Sequence, residues 1–404
     1  MKATHENEGT GMNHADTIRD TVDATVLTPL VQARLDSPEA TISAWQHEPF
    51  GHSLDEVYGT SRSIFRFSGT AQTPGGDVPW RLVLKIVPAA ETPDDPSAPS
   101  NGAREPLAYQ SGFLDRLTGV RAPHCAGVTK GPSGHYWLWL EEVVEGTGRQ
   151  WPRERYLLAA RHLARFNAAH QAGQTTAYPW LSRSPLREAL KDLSAGVARI
   201  HEARRDNPFV ARAVSEDAAA ALCALPGKTH TWLDRLDTLP QTICHWDAHR
   251  SNLVSRTIGP PTPSGPGQDE RDETVALDWA GVGWGPVGSE LSKFLSQTVN
   301  FFGMSAAALP DLDAAMFDHY VAGLRETGWE GDPRAARFGH AAASAARLVV
   351  RTASALELAI HTSSREAFER ATGLPFATLA DMFGTTLPYY LSLTDEAERL
   401  VQVI

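Results

Sequence analysis

A chain of 404 residues with 42% hydrophobic and 21% charged residues has the length for two packed domains and the make-up of an ordinary globular protein, which excludes a disordered or fibrous one. Its formal net charge of -11 excludes broad electrostatic binding to nucleic acid or to an anionic membrane, since either polyanion would be repelled over most of the surface. Three scattered cysteines (Cys125, Cys223, Cys244) give neither a disulfide framework nor a metal-ligand spacing and suit a reducing compartment.

Residues 1–37 read as a polar leader with room for one short helix and no assigned chemistry. They hold no apolar h-region, and no later run is long and apolar enough to span a bilayer, so the expected location is the cytoplasm, with no membrane partner. Residues 38–145 change texture to strand-like runs, ISAW, SIFRFSGTA and WRLVLKIV, separated by Gly, Ser and Pro turns. A Pro/Ser/Asp-rich connection leads to AREPLAYQSGFLDRL, where Leu107, Ser111, Leu114 and Leu117 fall at helical spacing and Pro106 is tolerated in a first turn. A further strand pair ends in HYWLWLEEV.

Residues 146–404 are mainly helical. RERYLLAARHLARFNAAH places Tyr156, Leu163, Phe166 and His170 on one face, PLREALKDLSAGVARI does the same with Leu186, Leu190, Leu193, Val197 and Ile200, and 333–360 is Ala-rich with a wide apolar face. One strand-like interruption, TICHWDAHRSNLVSR, then a Pro/Gly tract at 259–267 and TVALDWAG, breaks the helical part. The expected fold class is therefore α+β and bilobal, a small antiparallel-sheet lobe preceding a larger helical one.

The interruption carries the chemistry. His245-Trp246-Asp247, then Asn252, then Asp278 after an apolar strand, supplies the groups that phosphoryl transfer from ATP needs: a carboxylate to orient the acceptor hydroxyl and take its proton late, and an amide oxygen with a second carboxylate to hold Mg2+ against phosphate oxygens. An aspartate of ordinary pKa, about 4, is a weak base, so alignment is the main task assigned to Asp247. The same residues read blandly as turn formers capping local backbone. His245 reads as a core histidine bracing the loop.

Lys85 interrupts WRLVLKIV on the face of Val83 and Val87, where a lysine is costly to bury without a partner, and Glu105 on the next helix is the natural one. That pair would hold the ammonium against nucleotide phosphates, and an edge-strand lysine reaching solvent is the alternative. Ser61, in a turn spanning 59–63, could contact the triphosphate through backbone N–H groups and hydroxyls, or belong to a plain hairpin. Glu141 and Val143, at the end of the last strand before the helical part, could bind an adenine ring or form a simple linker.

These segments resemble the aminoglycoside phosphotransferase and choline kinase family, the small-molecule branch of the protein-kinase-like fold. The resemblance runs from about Thr41 to Ala359 and rests on VLK at Lys85, REPLAYQSG around Glu105, HWDAHRSNL at 245–253 and LDWAGVGWGPVGSEL at 277–291. It implies ATP and Mg2+ as cofactors, Asp247 as the catalytic residue, Asn252 and Asp278 as metal ligands, and Lys85 with Glu105 at the phosphates. Two positions depart from the family pattern. Trp246 stands where Gly is common, and Ser289-Glu290 stands where an Asp follows Gly, so that Glu290 takes the place of that structural acid.

The function expected is transfer of the γ-phosphate to a hydroxyl of a sugar, amino alcohol or secondary metabolite. The alternatives are an antibiotic O-phosphotransferase, a nucleotide-binding pseudokinase, which would have lost one of Lys85, Asp247, Asn252 or Asp278, and a metal-dependent hydrolase using His245, Asp247, His249 and Asp278. Net acidity leans toward a cationic acceptor. Trp180, Glu290 and Arg347 are acceptor-side candidates with no assigned role.

Overall fold

The computed structural model describes residues 18, 20–50, 63–88, 95–148, 150–173, 178–183, 185–191, 194–257, 272–301 and 305–404. Ser61, with most of the expected phosphate turn, and the 259–267 tract lie outside the described residues, as does the start of the leader. The chain divides into two compact units, the first drawn from 1–52, 61–89 and 124–142 and the second from 53–60, 90–123 and 143–404.

The first unit is a five-stranded antiparallel sheet in the order β1-β2-β3-β5-β4, made of β1 Thr41–Pro49, β2 Ser63–Thr73, β3 Gly76–Val87, β4 Cys125–Lys130 and β5 Tyr136–Glu141, with helix α1 Ala24–Leu35 preceding it. Period-two alternation decides which side chains meet. Leu82, Leu84 and Ile86 of β3 join Phe65, Phe67, Trp137 and Trp139 in a core with Leu27, Leu30 and Val31 of α1, so a helix of the expected leader takes part in this core. Each fully buried side chain of that size contributes about 1.5–3 kcal/mol. Val83, Lys85 and Val87 point to the opposite face, where Lys85 is buried opposite Leu138 of β5. Glu142, just past β5, accepts from Arg66 Nε at 3.0 Å and Nη2 at 2.7 Å, tying the strand end to β2.

The second unit opens with α2 Arg104–Gln110, shorter than the Leu spacing suggested because Gly112, at φ +68°, ends it. Then come α3 Arg153–Ala169, α4 Pro185–Lys191, α5 Ser194–Ala198, α6 Ile200–Asp206, α7 Pro208–Ala213 and α8 Glu216–Asp237. Of the helix expected over 185–200, the described residues 185–191 and 194–198 are helical and Arg199 is a turn before α6. Four short strands follow: β6 Gln241–Cys244, β7 Leu253–Thr257, β8 Asp272–Ala276 and β9 Gly283–Pro286, with β6 paired to β9 and β7 to β8. Last are α9 Glu290–Phe301, α10 Leu309–Glu326, α11 Pro333–Ile360, α12 Thr362–Thr372 and α13 Phe376–Leu400.

Helix α11 packs on α8, α9 and α13, while α3 packs along α10 and against β6. A run of hydrogen bonds fixes this frame beneath β6: Gly288 N–H donates to Tyr320 Oη at 3.1 Å, Tyr320 donates to Asn167 Oδ1 at 2.7 Å, and Asn167 Nδ2 donates to Ile243 O at 2.9 Å. Gly288 also touches α11. Its φ is +90°, and a Cβ there would stand 1.9 Å from Ala336 O.

Gly288→Ala is expected to lower the unfolding free energy in urea by at least about 2 kcal/mol, because backbone strain and a backbone clash act together. Gly328→Ala supplies the contrast: φ is +83° with nothing near the added methyl, so only about 1 kcal/mol of left-handed strain should appear.

Candidate active site

The loop 245–252 runs from β6 to β7, and β7–β8 is a hairpin in the register Leu253 to Ala276. Continuing that register sets Asn252 opposite Leu277, confirmed by the Leu277 N–H donating to Asn252 O at 2.8 Å. Asp278 therefore leaves the hairpin at the end where Asn252 enters it. Both residues sit there because two apolar strands of matched length bracket them.

Asp247 is held through both oxygens. Asn252 Nδ2 donates to its Oδ2 at 2.8 Å and to its backbone O at 3.1 Å, and Lys293 Nζ stands 2.8 Å from its Oδ1. His249 Nε2 lies 3.6 Å from Oδ2. Burial alone would raise the Asp247 carboxyl, but the Lys293 ammonium and His249 reverse this and hold it well below the usual carboxylate range. The side chain still keeps 34% of its surface open, so a reactant can reach it.

Four anchors shape the loop. Glu290, fully buried at the start of α9, accepts from His245 N at 2.6 Å and Trp246 N at 3.1 Å. Arg347 of α11 donates from Nη2 to Trp246 O at 2.9 Å and from Nε to Ser292 Oγ at 2.9 Å. Arg250 donates to Leu253 O and Gly148 O and pairs with Glu145 at 3.0 Å. The fourth is His245, whose Nε2–H donates to Leu277 O at 2.9 Å while Nδ1 accepts the Asp247 N–H at 3.2 Å. That pattern fixes a neutral tautomer, and burial pushes the imidazole pKa down to about 4.

With both ring nitrogens engaged, His245 has no lone pair for a metal. The 245 and 249 histidines also lie on a loop, not a helix, and no group of three or more His, Cys, Asp or Glu among the described residues is arranged to hold a metal ion. These contacts oppose the hydrolase arrangement.

Trp246 accounts for the Gly that the family pattern prefers. Its φ is +65°, a conformation costing a non-glycine residue about 1–2 kcal/mol. Its indole Nε1–H donates to Trp284 O at 3.1 Å, and its ring fills the space over Gly285, where a Cβ would come within 2.4 Å of Cζ2. Asp278 is likewise left-handed, φ +58°, and the turn after it is clamped by α2. Glu105 Oε1 accepts the Trp279 N–H at 3.3 Å, and buried Arg104 donates to Ala280 O at 3.0 Å and Trp180 O at 3.0 Å.

The predicted residues thus fall into groups. Asp247, Asn252 and Asp278 converge in the second unit, with Glu105 bracing the turn beside Asp278. Lys85 lies on β3 of the first unit, Glu141 ends β5, Val143 begins the last segment of the second unit, and Ser61 is outside the described residues. Trp180 is buried against Phe113, at 5.9 Å between rings, as a core residue. Sequence reasoning missed Lys293, although its signal was present: it follows Glu290 by three residues, the spacing that puts two side chains on one helix face.

No protein-family model matches the chain, and no curated protein matches it in sequence. Solved structures do match. Choline kinase from Cryptosporidium parvum aligns with a TM-score of 0.52 at 9% identity, over 93% of this chain and 96% of that one. The chain has a protein-kinase-like fold. Amicoumacin kinase hAmiN, in complex with AMP-PNP, Ca2+ and Ami, aligns at 0.49 with 12% identity over 89% and 97% of the two chains. An aminoglycoside phosphotransferase from Alicyclobacillus acidocaldarius aligns at 0.47 with 15% identity over 88% and 92%.

Gly285→Ala should destabilise the protein by about 2 kcal/mol or more, and the loss should shrink by over 1 kcal/mol in a Trp246→Gly background, a coupling that urea unfolding of the four-member cycle measures. His245 generates a pH effect. Between its unfolded pKa of 6.5 and its folded value of about 4, the unfolded chain binds a proton that the folded chain does not, so stability falls as pH falls through that window. From pH 7 to pH 5 the wild type should lose about 2 kcal/mol more than His245→Gln.

Proposed function

We propose that this chain is an ATP- and Mg2+-dependent phosphotransferase that moves the γ-phosphate to a hydroxyl of a small molecule. The observation that carries the reading is the Asp247 carboxylate, ionised, open to solvent and oriented through both oxygens, with Asn252 and Asp278 brought to one hairpin end beside it. The shared fold with choline kinase supports the same class of reaction.

In this reading Asp247 aligns the acceptor hydroxyl. The acceptor oxygen forms its bond to phosphorus as the bond to the β,γ-bridging oxygen breaks, the proton passes late to Asp247, and ADP leaves. A carboxylate held so far below its ordinary pKa is a poor base, so positioning carries more of the rate than deprotonation does. Asn252 and Asp278 are the residues assigned to Mg2+. The fit is in the donor set: the Asn252 amide nitrogen is committed to Asp247, which leaves its carbonyl oxygen for a cation, and a hard ion bound by one or two protein oxygens takes its remaining ligands from phosphate and water. Bound there, the ion would neutralise charge on the phosphate oxygens. Lys85, Glu105, Ser61, Glu141 and Val143 are assigned to the nucleotide, and the location proposed is the cytoplasm.

ADP release with Mg·ATP, measured over aminoglycosides, amino sugars, sugars, sugar acids and amino alcohols, tests this. Acceptor-dependent turnover should fall about 100-fold to 10,000-fold in Asp247→Ala while Mg·ATP still raises the melting temperature of that variant. Absence of both ADP release and Mg·ATP binding in the wild type would end the reading.

A further inference from the structure

The segment that follows Val143 is fastened to the Asp247 loop through one side chain: we propose that Glu145 is a positioning residue, which through Arg250 holds Asn252, the residue assigned to Mg2+, in a fixed place relative to Val143, the residue assigned to the nucleotide base. The inference rests on the phosphotransferase reading and deepens it.

Glu145 gathers donors from its own segment, from Trp151 ahead of α3, from β7 and from the loop. Its Oε1 accepts the Thr147 N–H at 2.8 Å. Its Oε2 accepts the Ser255 N–H at 3.2 Å and the Trp151 Nε1–H at 3.3 Å, while Arg250 Nη2 stands 3.0 Å from the same oxygen. The backbone follows the side chain. Gly146 N–H donates to Ser255 O at 2.8 Å and Thr147 Oγ1 to Ser255 Oγ at 2.8 Å, so residues 145–147 lie along β7, whose first residue follows Asn252. The approach is close, since a Cβ on Gly146 would stand 3.2 Å from Ser255 O.

Arg250 carries this hold to Asn252. Its Nη1 donates to Leu253 O at 3.0 Å, so the side chain bridges from position 250 to the carbonyl of 253 and brackets Asn252 from both sides in the chain. Its Nη2 donates to Gly148 O at 2.7 Å and meets Glu145. Asn252 in turn holds the carboxylate, with Nδ2 donating to Asp247 Oδ2 at 2.8 Å. The contacts therefore run without a gap from the segment after Val143 to Asp247.

Charge gives the hold its strength. Arg250 is buried, which works against its guanidinium charge, and Glu145 is the carboxylate that offsets this. A second buried guanidinium, Arg155, lies over the same Trp151 ring at 4.6 Å, opposed by Arg250 and supported by Asp272 and Glu145. Its Nε donates to Ser255 Oγ at 2.6 Å. An amide at position 145 would keep the shape, yet it would leave both arginines without that counter-charge and set an NH2 group against N–H donors. Arg250 would then give up its place, and the bracket around Asn252 with it. A merely structural cluster would behave differently: its loss would lower stability without changing how much Mg2+ adds to nucleotide binding.

Calorimetric titrations with adenosine, with ATP in EDTA and with Mg·ATP separate the base end from the metal end, at a temperature where each protein is folded by circular dichroism. In Glu145→Gln the affinity for adenosine should stay within about 3-fold of wild type, because the Gly146 backbone contact remains, while the gain in ATP affinity on adding Mg2+ should shrink at least about 10-fold. Arg250→Lys keeps the charge but not the fork that reaches Leu253 O and Gly148 O together, and the same loss is expected. The double variant should lose no more than the larger single one. Arg250→Lys carries the test if Glu145→Gln does not fold. An unchanged Mg2+ gain in the folded variants, including equal falls in all three affinities, overturns the inference and leaves the phosphotransferase reading intact. Absence of Mg·ATP binding in the wild type removes both.

Discussion

The loop that carries Asp247 depends on one carboxylate, that of Glu290. A fully buried acid ordinarily costs several kcal/mol unless its charge is met, and here the His245 and Trp246 N–H groups, with Arg347 nearby, meet it. Burial nevertheless prevails and pushes the Glu290 pKa up to about 7. Ionising it therefore lowers global stability as pH rises from 4.5 through 7, since the folded chain holds a proton there that the unfolded chain releases. The ionised form is also the one whose two oxygens can both accept from the loop. Through its two N–H contacts Glu290 sets the backbone of residues 245 and 246, and with it the direction of Asp247.

Two left-handed residues, Trp246 and Asp278, belong to the same economy of strain. Neither would hold its conformation in an isolated peptide. Trp246 is fastened by Glu290 below, Arg347 at its carbonyl and Trp284 at its indole, while the turn after Asp278 is fastened by Glu105 and Arg104. Gly285, lacking a side chain, makes room for the ring that a glycine at position 246 would not need. The departure from the family pattern at 246 is thus matched by a neighbouring position, and the bulky residue packs beneath the loop without displacing the functional groups.

Much of the fold was legible because period-two runs such as SIFRFSGTA and the apolar face of 333–360 leave few choices of element. The loop was legible as well, since the short spacing of Asp247 and Asn252 between two apolar strands forces both onto one turn, and Glu290 was read as the structural acid. What the sequence concealed depends on tertiary direction. Arg104 looks like a surface residue at a helix start, yet it is buried and caps backbone carbonyls more than 70 positions away at Trp180. The 185–200 segment has the spacing of one helix, and its described residues are helical except at Arg199, where a turn precedes α6. Lys293 could have been found from its distance to Glu290, but only once the orientation of α9 toward the loop was known.

That orientation gives α9 two contacts with the loop. One turn of α9 points Glu290 at the backbone of the loop and Lys293 at its carboxylate, so the element that shapes Asp247 also suppresses its basicity. On the phosphotransferase reading proposed above, a strong base at this position would gain little, because the transition state for phosphoryl transfer is loose and asks for alignment before proton removal. A lysine on the Asp247 Oδ1 oxygen holds the carboxyl well below the usual carboxylate range.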